Sequence, residues 1–158
     1  MSSIKNKLVL NIVLLFSIFV LIAAYFIQYV LDHKPCNLCL IERIPYLAAI
    51  ILISLVFILN KYEKLISLIL GLFFIFGVIV SFYHFGIEQG FFSESFVCDL
   101  NGNNQVTSTQ DLLKQLERKA VSCKEVTFKL LGLSLATFNT IISIIISAIM
   151  LKIVINYD

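Results

Sequence analysis

Four long apolar segments, separated by polar stretches, dominate the pattern of this chain. They run over 8–31, 38–59, 65–85 and 130–155. Each is close to the length of about 20 residues that an α-helix needs to cross the hydrocarbon core of a bilayer. The pattern therefore predicts an all-α membrane protein, a bundle of four transmembrane helices that forms a single domain over 1–158.

A proline complicates the second segment. Inside a helix, Pro45 removes a backbone hydrogen bond and its ring kinks the chain. A helix that began only at Ile44 would be too short for a hydrocarbon core of about 30 Å. We therefore expect the helix to begin near Leu38 and to be kinked at Pro45, which places Cys36 and Cys39 in its first turn.

Two polar loops are expected on the side opposite the termini, over 32–37 and 86–129. The longer loop holds Cys98 and Cys123. It also contains an amphipathic pattern over 108–120 that predicts a short helix. Such a helix lies on the membrane surface or packs on the rest of the loop, and the sequence leaves both arrangements open.

The composition agrees with a membrane protein and sets the orientation. With 59% hydrophobic residues, 14% charged residues and a mean hydropathy of +0.97, the chain is far more apolar than a soluble domain. A net charge of +2 without a basic block predicts no nucleic-acid partner. Lysines are dense in the short segments on the side of the termini: Lys5, Lys7, Lys61, Lys64 and Lys152. This density predicts cytoplasmic termini and puts all four cysteines on the other, oxidising side, where disulfides persist.

The pair Cys36 and Cys39 is the strongest chemical signal in the sequence. The free N–H groups and the dipole at the start of a helix stabilise a thiolate, so the thiol pKa falls and disulfide exchange becomes fast. Arg43 follows Cys39 by four residues and is expected to add a positive charge on the same helical face.

Other polar residues near the ends of the apolar segments have simpler expectations. Gly77, Ser81 and His84 share one face of the third segment, so His84 is predicted to point into the bundle. Glu42 and Glu88 are expected to contact solvent or lipid headgroups.

The residues alone leave rival functions open. A zinc-binding scaffold would use the four cysteines as ligands, although no second Cys-x-x-Cys is present. A small transporter would need ionisable residues near the middle of the membrane, and the chain offers little beyond Asn11, Asn139 and hydroxyl groups. If Cys98 and Cys123 formed a bridge with each other, it could also have a purely structural role and stabilise the long loop.

At this point the sequence resembles the DsbB family of bacterial membrane proteins, which make disulfides with the help of quinone. The resemblance rests on an ordered set of motifs: Pro-Cys-Asn-Leu-Cys at 35–39, Glu-Arg-Ile-Pro-Tyr at 42–46, Tyr-His-Phe-Gly-Ile-Glu at 83–88 and Gly-Leu-Ser-Leu-Ala at 132–136, with Asn139 beyond. The resemblance covers most of the chain. The ordered set of motifs is specific to the family, whereas any single motif would not be.

The resemblance implies a function and roles for the residues. Cys36 and Cys39 would be the pair that reduces ubiquinone or menaquinone, and Cys98 and Cys123 the pair that faces a soluble, DsbA-like thioredoxin-fold partner. Cys39, Arg43 and His84 would bind the quinone, with Cys39 nearest its ring, and no metal is expected. The protein would lie in the bacterial inner membrane with its cysteines on the periplasmic side. A vitamin K epoxide reductase-like protein is the enzymatic alternative, and the position of the Cys-x-x-Cys at the start of the second helix argues against it.

Overall fold

The computed structural model describes residues 2–59, 62–93, 98, 123, 129–130 and 133–156. Its elements in chain order are α1 (Ser2–Tyr29), α2 (Asn37–Ile41), α3 (Ile44–Leu59), α4 (Glu63–Glu88), β1 (Lys129–Leu130), β2 (Leu133–Ser134) and α5 (Leu135–Ile155). Four helical spans are long and apolar enough to cross a membrane: Asn6–Tyr29, Asn37–Leu59, Glu63–Glu88 and Leu135–Ile155. The predicted four-helix membrane protein is confirmed.

The second span is interrupted next to its proline. Cys36 caps α2, because its Sγ accepts a hydrogen bond from the backbone N–H of Cys39 at 3.3 Å. The helix ends after five residues, and α3 then begins with Ile44 and places Pro45 in its first turn. At that position the missing N–H of proline costs no helical hydrogen bond. The expected kink is therefore present as a two-residue break between two helices.

The other helix ends differ from the expected bounds by a few residues. The first helix ends at Tyr29 rather than at 31, and the third continues to Glu88 rather than ending at 85. The fourth was expected from 130, but α5 begins at Leu135. Before it, β1 and β2 pair antiparallel, and the Ser134 hydroxyl accepts the N–H of Thr137 at 3.3 Å. This cap satisfies one of the free N–H groups and fixes the start of the helix.

The helices pack so that the polar loops meet at one end of the bundle. Helix α4 packs along α5 and α3, and α3 packs along α1. Lys7 pairs with Glu63 at 3.7 Å, so α1 and α4 begin at the same end. The apolar core contains Ile53, Phe74 and Met150, all with an exposed fraction of 0%. The end of α1, the start of α2, the end of α4 and the start of α5 consequently lie together at the opposite end.

The long loop was expected over 86–129, and only a few of its residues belong to the described part of the chain. The structure joins Cys98 and Cys123 in a disulfide with Cα atoms 5.9 Å apart. The amphipathic helix predicted over 108–120 lies outside the described residues.

Two glycines of α4 give a matched test of this packing. A Cβ on Gly77 would lie 3.1 Å from Cγ of Pro45 and 3.3 Å from Oγ of Ser143, whereas one on Gly71 would meet the flexible Leu151 at 3.4 Å. Alanine gains about 1 kcal/mol of helix propensity at either position. We expect Gly71→Ala to keep that gain and Gly77→Ala to lose it to crowding between the helices. Thermal unfolding of the full-length protein in detergent would measure the difference, and equal midpoints for the two variants would contradict the described packing.

Candidate functional site

A histidine and a carboxylate stand behind the first cysteine at the polar end of the bundle. His84 Nε2 lies 3.6 Å from Sγ of Cys36, and His84 Nδ1 lies 2.7 Å from Oε1 of Glu42. All three residues are buried, with exposed fractions of 6% for Cys36, 4% for His84 and 8% for Glu42. The prediction that His84 points into the bundle is confirmed, and its ring contacts the thiol pair directly.

The two cysteines at the start of α2 are free thiols in close contact. Their Sγ atoms are 2.7 Å apart, and Cys36 is the more buried of the two. The hydrogen bond with Cys39 is the main cause that lowers the pKa of Cys36 to about 4, and His84 adds to it, while burial acts in the opposite direction. The lowered pKa favours the thiolate form of Cys36, as expected for a reactive cysteine at a helix start.

The carboxylate of Glu42 is held from its other side by α5. Asn139 donates from Nδ2 to Oε2 of Glu42 at 2.9 Å, and the Tyr46 hydroxyl donates to Oδ1 of Asn139 at 2.6 Å. The expectation that Glu42 contacts solvent or headgroups is wrong, because its carboxylate is buried and hydrogen-bonded on both oxygens. Glu88 also departs from that expectation, since its side chain is 5% exposed and lies 3.8 Å from Nε2 of His84.

Arg43 belongs to the same site but is held by the first helix. Its Nη1 donates to Oε1 of Gln28 at 2.7 Å, and its guanidinium lies 5.0 Å from the ring centre of Tyr25. Arg43 lies in the two-residue break between α2 and α3, where its N–H bonds the carbonyl of Leu40 at 3.2 Å, and it lines the same cavity as Cys39. Two partners on α1 therefore fix the charge in place next to the thiols, whereas a residue anchored only in headgroups would stay mobile.

The loop disulfide packs against the thiol pair. Cys98 and Cys123 share one buried apolar cluster with Cys36, Leu38 and Ile87. Cys98 retains an exposed fraction of 6% and Cys123 only 1%. The structure thus brings both cysteine pairs together in one cluster.

A cavity of about 330 Å³ opens beside the thiols between α1 and α5. One wall is apolar and comes from residues such as Phe19 and Ala23 on α1 and Phe138 on α5. The polar end holds all the ionisable groups that line it: His33, Lys34, Cys36, Cys39, Glu42, Arg43, Tyr46, His84 and Glu88. An apolar pocket with convergent polar groups at one end is typical of a site for a small organic molecule.

A metal is the other ligand that this group of side chains can accept. The ligand atoms of Cys36, Cys39 and His84 lie within 4.8 Å of one another. The scaffold with four cysteine ligands is contradicted, because Cys98 and Cys123 bond to each other. Two thiols with sulfur atoms in contact are arranged for oxidation, since tetrahedral zinc would hold its Cys ligands further apart, about 2.3 Å from the metal each.

Sequence reasoning found the cysteines, Arg43 and His84 but assigned no role to Glu42, Tyr46 or Asn139. A signal for Glu42 was available, because an ionisable residue next to an apolar segment is costly unless it is paired. Tyr46 and Asn139 are separated by most of the chain, and only the packing of α3 against its neighbours reveals their contact.

Comparison with known proteins agrees with this site. A family model described as disulfide bond formation protein DsbB matches residues 6–153. An uncharacterised protein of Rickettsia prowazekii (strain Madrid E) is 30% identical over 143 residues, which cover 86% of this chain and 81% of that protein. No solved structure matches. The chain belongs to the DsbB family of disulfide bond formation proteins.

Proposed function

We propose that this protein oxidises a soluble thioredoxin-fold protein and passes the electrons to a membrane quinone. The observation that carries the proposal is the cavity between α1 and α5, which has an apolar wall and ends on a thiol pair and a fixed arginine. A lipid-soluble oxidant needs the apolar wall in order to enter from the bilayer. It needs the thiol pair and the arginine in order to react.

The residues present fit a quinone. The cavity volume of about 330 Å³ lies within the range of about 300–1,000 Å³ that is usual for pockets of small organic ligands. Arg43 and His84 would hold the polar oxygens, and the apolar side chains of α1 and α5 would surround the ring and tail. When bound, a quinone accepts the two electrons and two protons that a dithiol gives up as it closes to a disulfide.

Each polar side chain has a task in this reaction. Cys36 and Cys39 lose two electrons and two protons as their sulfur atoms bond. Arg43 stabilises negative charge on Cys39 and on the oxygens of the acceptor, because a cation fixed by its partners on α1 needs little reorganisation during the reaction. His84 holds the proton that leaves Cys36, since its Nε2 faces that sulfur.

The loop disulfide links the membrane site to the partner. A partner thiolate attacks Cys98 and breaks the Cys98–Cys123 bond, so that Cys123 leaves as a thiolate. Cys123 then attacks Cys36 in the oxidised Cys36–Cys39 pair and breaks the bond to Cys39, which is freed beside the cavity. The second partner thiol displaces Cys98 from the mixed disulfide and releases the oxidised partner. Cys98 finally attacks Cys123, which re-forms the loop disulfide and releases Cys36. The greater exposure of Cys98 and the packing of both pairs in one cluster support this order.

The proposal includes the orientation in the bacterial inner membrane. The lysine density of the termini and of the segment around Lys64 favours cytoplasmic termini and a periplasmic site. In agreement with such an arrangement, all four cysteines are at the end of the bundle opposite the Lys7–Glu63 ion pair. The oxidising compartment and the soluble partner would then be on the same side as the loop disulfide.

The proposed function is tested with the purified full-length protein, a reduced thioredoxin-fold protein and a soluble ubiquinone or menaquinone analogue. We expect one quinol for each disulfide made in the partner, measured by quinone absorbance and thiol titration. Cys36→Ser should abolish turnover while the protein remains folded. Partner oxidation without quinol formation would rule out the proposed electron acceptor.

Replacement of Arg43 tests its role at the acceptor. We expect Arg43→Ala to lower the efficiency of quinone reduction about 100-fold, because a charge-assisted contact with the acceptor is lost. Arg43→Lys should recover part of this loss, and Gln28→Leu, which removes one anchor and keeps the charge, should cost less. Exchange between the two cysteine pairs should change little in all three. Lys64→Ala is the control, because it removes a positive charge at the other end of the bundle. An equal loss of quinone reduction in that variant would contradict the specific role of Arg43.

Trapping tests the order of the relay. With Cys123→Ser, the reduced partner should accumulate as a mixed disulfide on Cys98, because the resolving sulfur inside the protein is missing. With Cys98→Ser, no such complex should form. Non-reducing electrophoresis and mass mapping of the linked peptides would identify the sulfur that captures the partner. Capture on Cys123 would reverse the proposed order without affecting the electron acceptor.

A further inference from the structure

An unbroken series of polar contacts connects Cys36 to a tyrosine on another part of the site. It passes from Cys36 to His84, to Glu42, to Asn139 and to Tyr46, with successive distances of 3.6, 2.7, 2.9 and 2.6 Å. Cys36 and His84 already have a role in the proposed function, and Glu42 contacts His84 directly. In this series Asn139 and Tyr46 do not contact Cys36. Their role at the end of the series that is distant from the thiol needs a separate explanation.

The chemistry of the groups fixes the direction of every hydrogen bond. An ionised carboxylate only accepts, so Glu42 receives Nδ2–H of Asn139 on one oxygen and Nδ1–H of His84 on the other. The carbonyl oxygen of Asn139 is then left to accept the Tyr46 hydroxyl. With its proton on Nδ1, a neutral His84 presents the lone pair of Nε2 to Cys36. The series therefore selects the tautomer that is able to take a proton from the thiol.

The outer two residues also decide where the carboxylate points. Glu42 stands at the break between α2 and α3, where no continuous helix fixes its side chain. Asn139 comes from α5 and His84 from α4, so the two hydrogen bonds hold the carboxylate between two packed helices. Tyr46 is 2% exposed, and a lost partner at Asn139 would not be replaced readily by water.

We propose that Asn139 and Tyr46 are positioning residues, which aim the Glu42 carboxylate at His84 and thereby hold His84 as the proton acceptor of Cys36. Cys36 first gives its proton to Nε2 of His84, which leaves the thiolate. When the disulfide closes, an electron pair of this thiolate forms the bond to Sγ of Cys39 and Cys39 loses its own proton. The quinone would take up the two electrons and the two protons released by the pair. The electron acceptor in this step rests on the proposed function, whereas the control of Cys36 by the series does not.

The ionisable groups that face His84 come from the chain around α2 and from its own helix. Cys36, Cys39 and Glu42 face it from the chain around α2, and Glu88 lies one turn further along α4 at 3.8 Å. Helix α5 contributes the neutral amide of Asn139, which contacts Glu42. Any change of acidity caused by Asn139 or Tyr46 therefore acts through Glu42, since neither side chain brings a charge of its own at neutral pH.

The test measures Cys36 alone and needs no quinone. In the full-length protein with Cys39, Cys98 and Cys123 replaced by serine, the rate of alkylation by iodoacetamide is recorded against pH. We expect Asn139→Leu and Tyr46→Phe each to raise the midpoint, by about one pH unit for Asn139→Leu, the effect of one hydrogen bond to a charged group. Asn139→Gln, which keeps both the donor and the acceptor, should recover part of the shift.

Matched variants separate positioning from packing. Thr140→Val is the control for Asn139, because the Thr140 hydroxyl bonds its own helix at Ala136 and belongs to no part of the series. In an Asn139→Leu background, Tyr46→Phe should add no further shift, and in a Glu42→Gln background neither change should matter. Tyr46→Phe alone keeps the experiment decisive if Asn139→Leu does not fold.

Three outcomes would overturn the inference. They are an unchanged midpoint in both variants, additive shifts in the double variant, and an equal shift in Thr140→Val. If Asn139 and Tyr46 only contacted quinone, their variants would show a higher KM for quinone and an unchanged alkylation midpoint. That result would also contradict the inference. Failure of quinone-dependent turnover in the parent protein would instead count against the proposed function and leave the alkylation result intact.

Discussion

The buried carboxylate of Glu42 is the interaction on which the rest of the site depends. An unpaired carboxylate away from water costs several kcal/mol, so the fold must supply partners for it. Here His84 and Asn139 each donate to one oxygen, and they come from α4 and α5. The same contacts that satisfy the charge therefore join two packed helices to the break in the second span, and they turn the imidazole towards Cys36. Stability of the site and reactivity of the thiol share one cause.

Much of the fold was predictable because a bilayer imposes strong constraints on sequence. The four apolar segments of spanning length correspond to four helical spans in the structure. Pro45 correctly indicated that the second span is interrupted. The ends were less accurate. The start of α5 was placed at 130, because an apolar run does not show where a helix begins, whereas the cap at Ser134 does. Hydrophobicity predicts what lies in the membrane, and local hydrogen bonding decides where each helix starts.

The candidate site was predictable only in part, because many of its contacts join residues that are far apart in the sequence. Cys36 and Cys39 are neighbours in sequence, so their chemistry can be read directly from the motif. His84 follows from its place on one face of α4. Glu42 was assigned to solvent because a single acidic residue at the end of an apolar run usually is solvated. Its burial depends on Asn139, which is distant along the chain, and sequence spacing alone does not bring the two together.

Cys36 belongs to two environments at the same end of the bundle. It lines the cavity that Arg43 and its partner Gln28 also border, and it shares a buried apolar cluster with the Cys98–Cys123 disulfide. In the proposed reaction, electrons that enter through the loop disulfide would leave through the cavity, so one sulfur atom has to face both. Because Glu42 is buried, its charge acts on His84 with less screening than it would in bulk water.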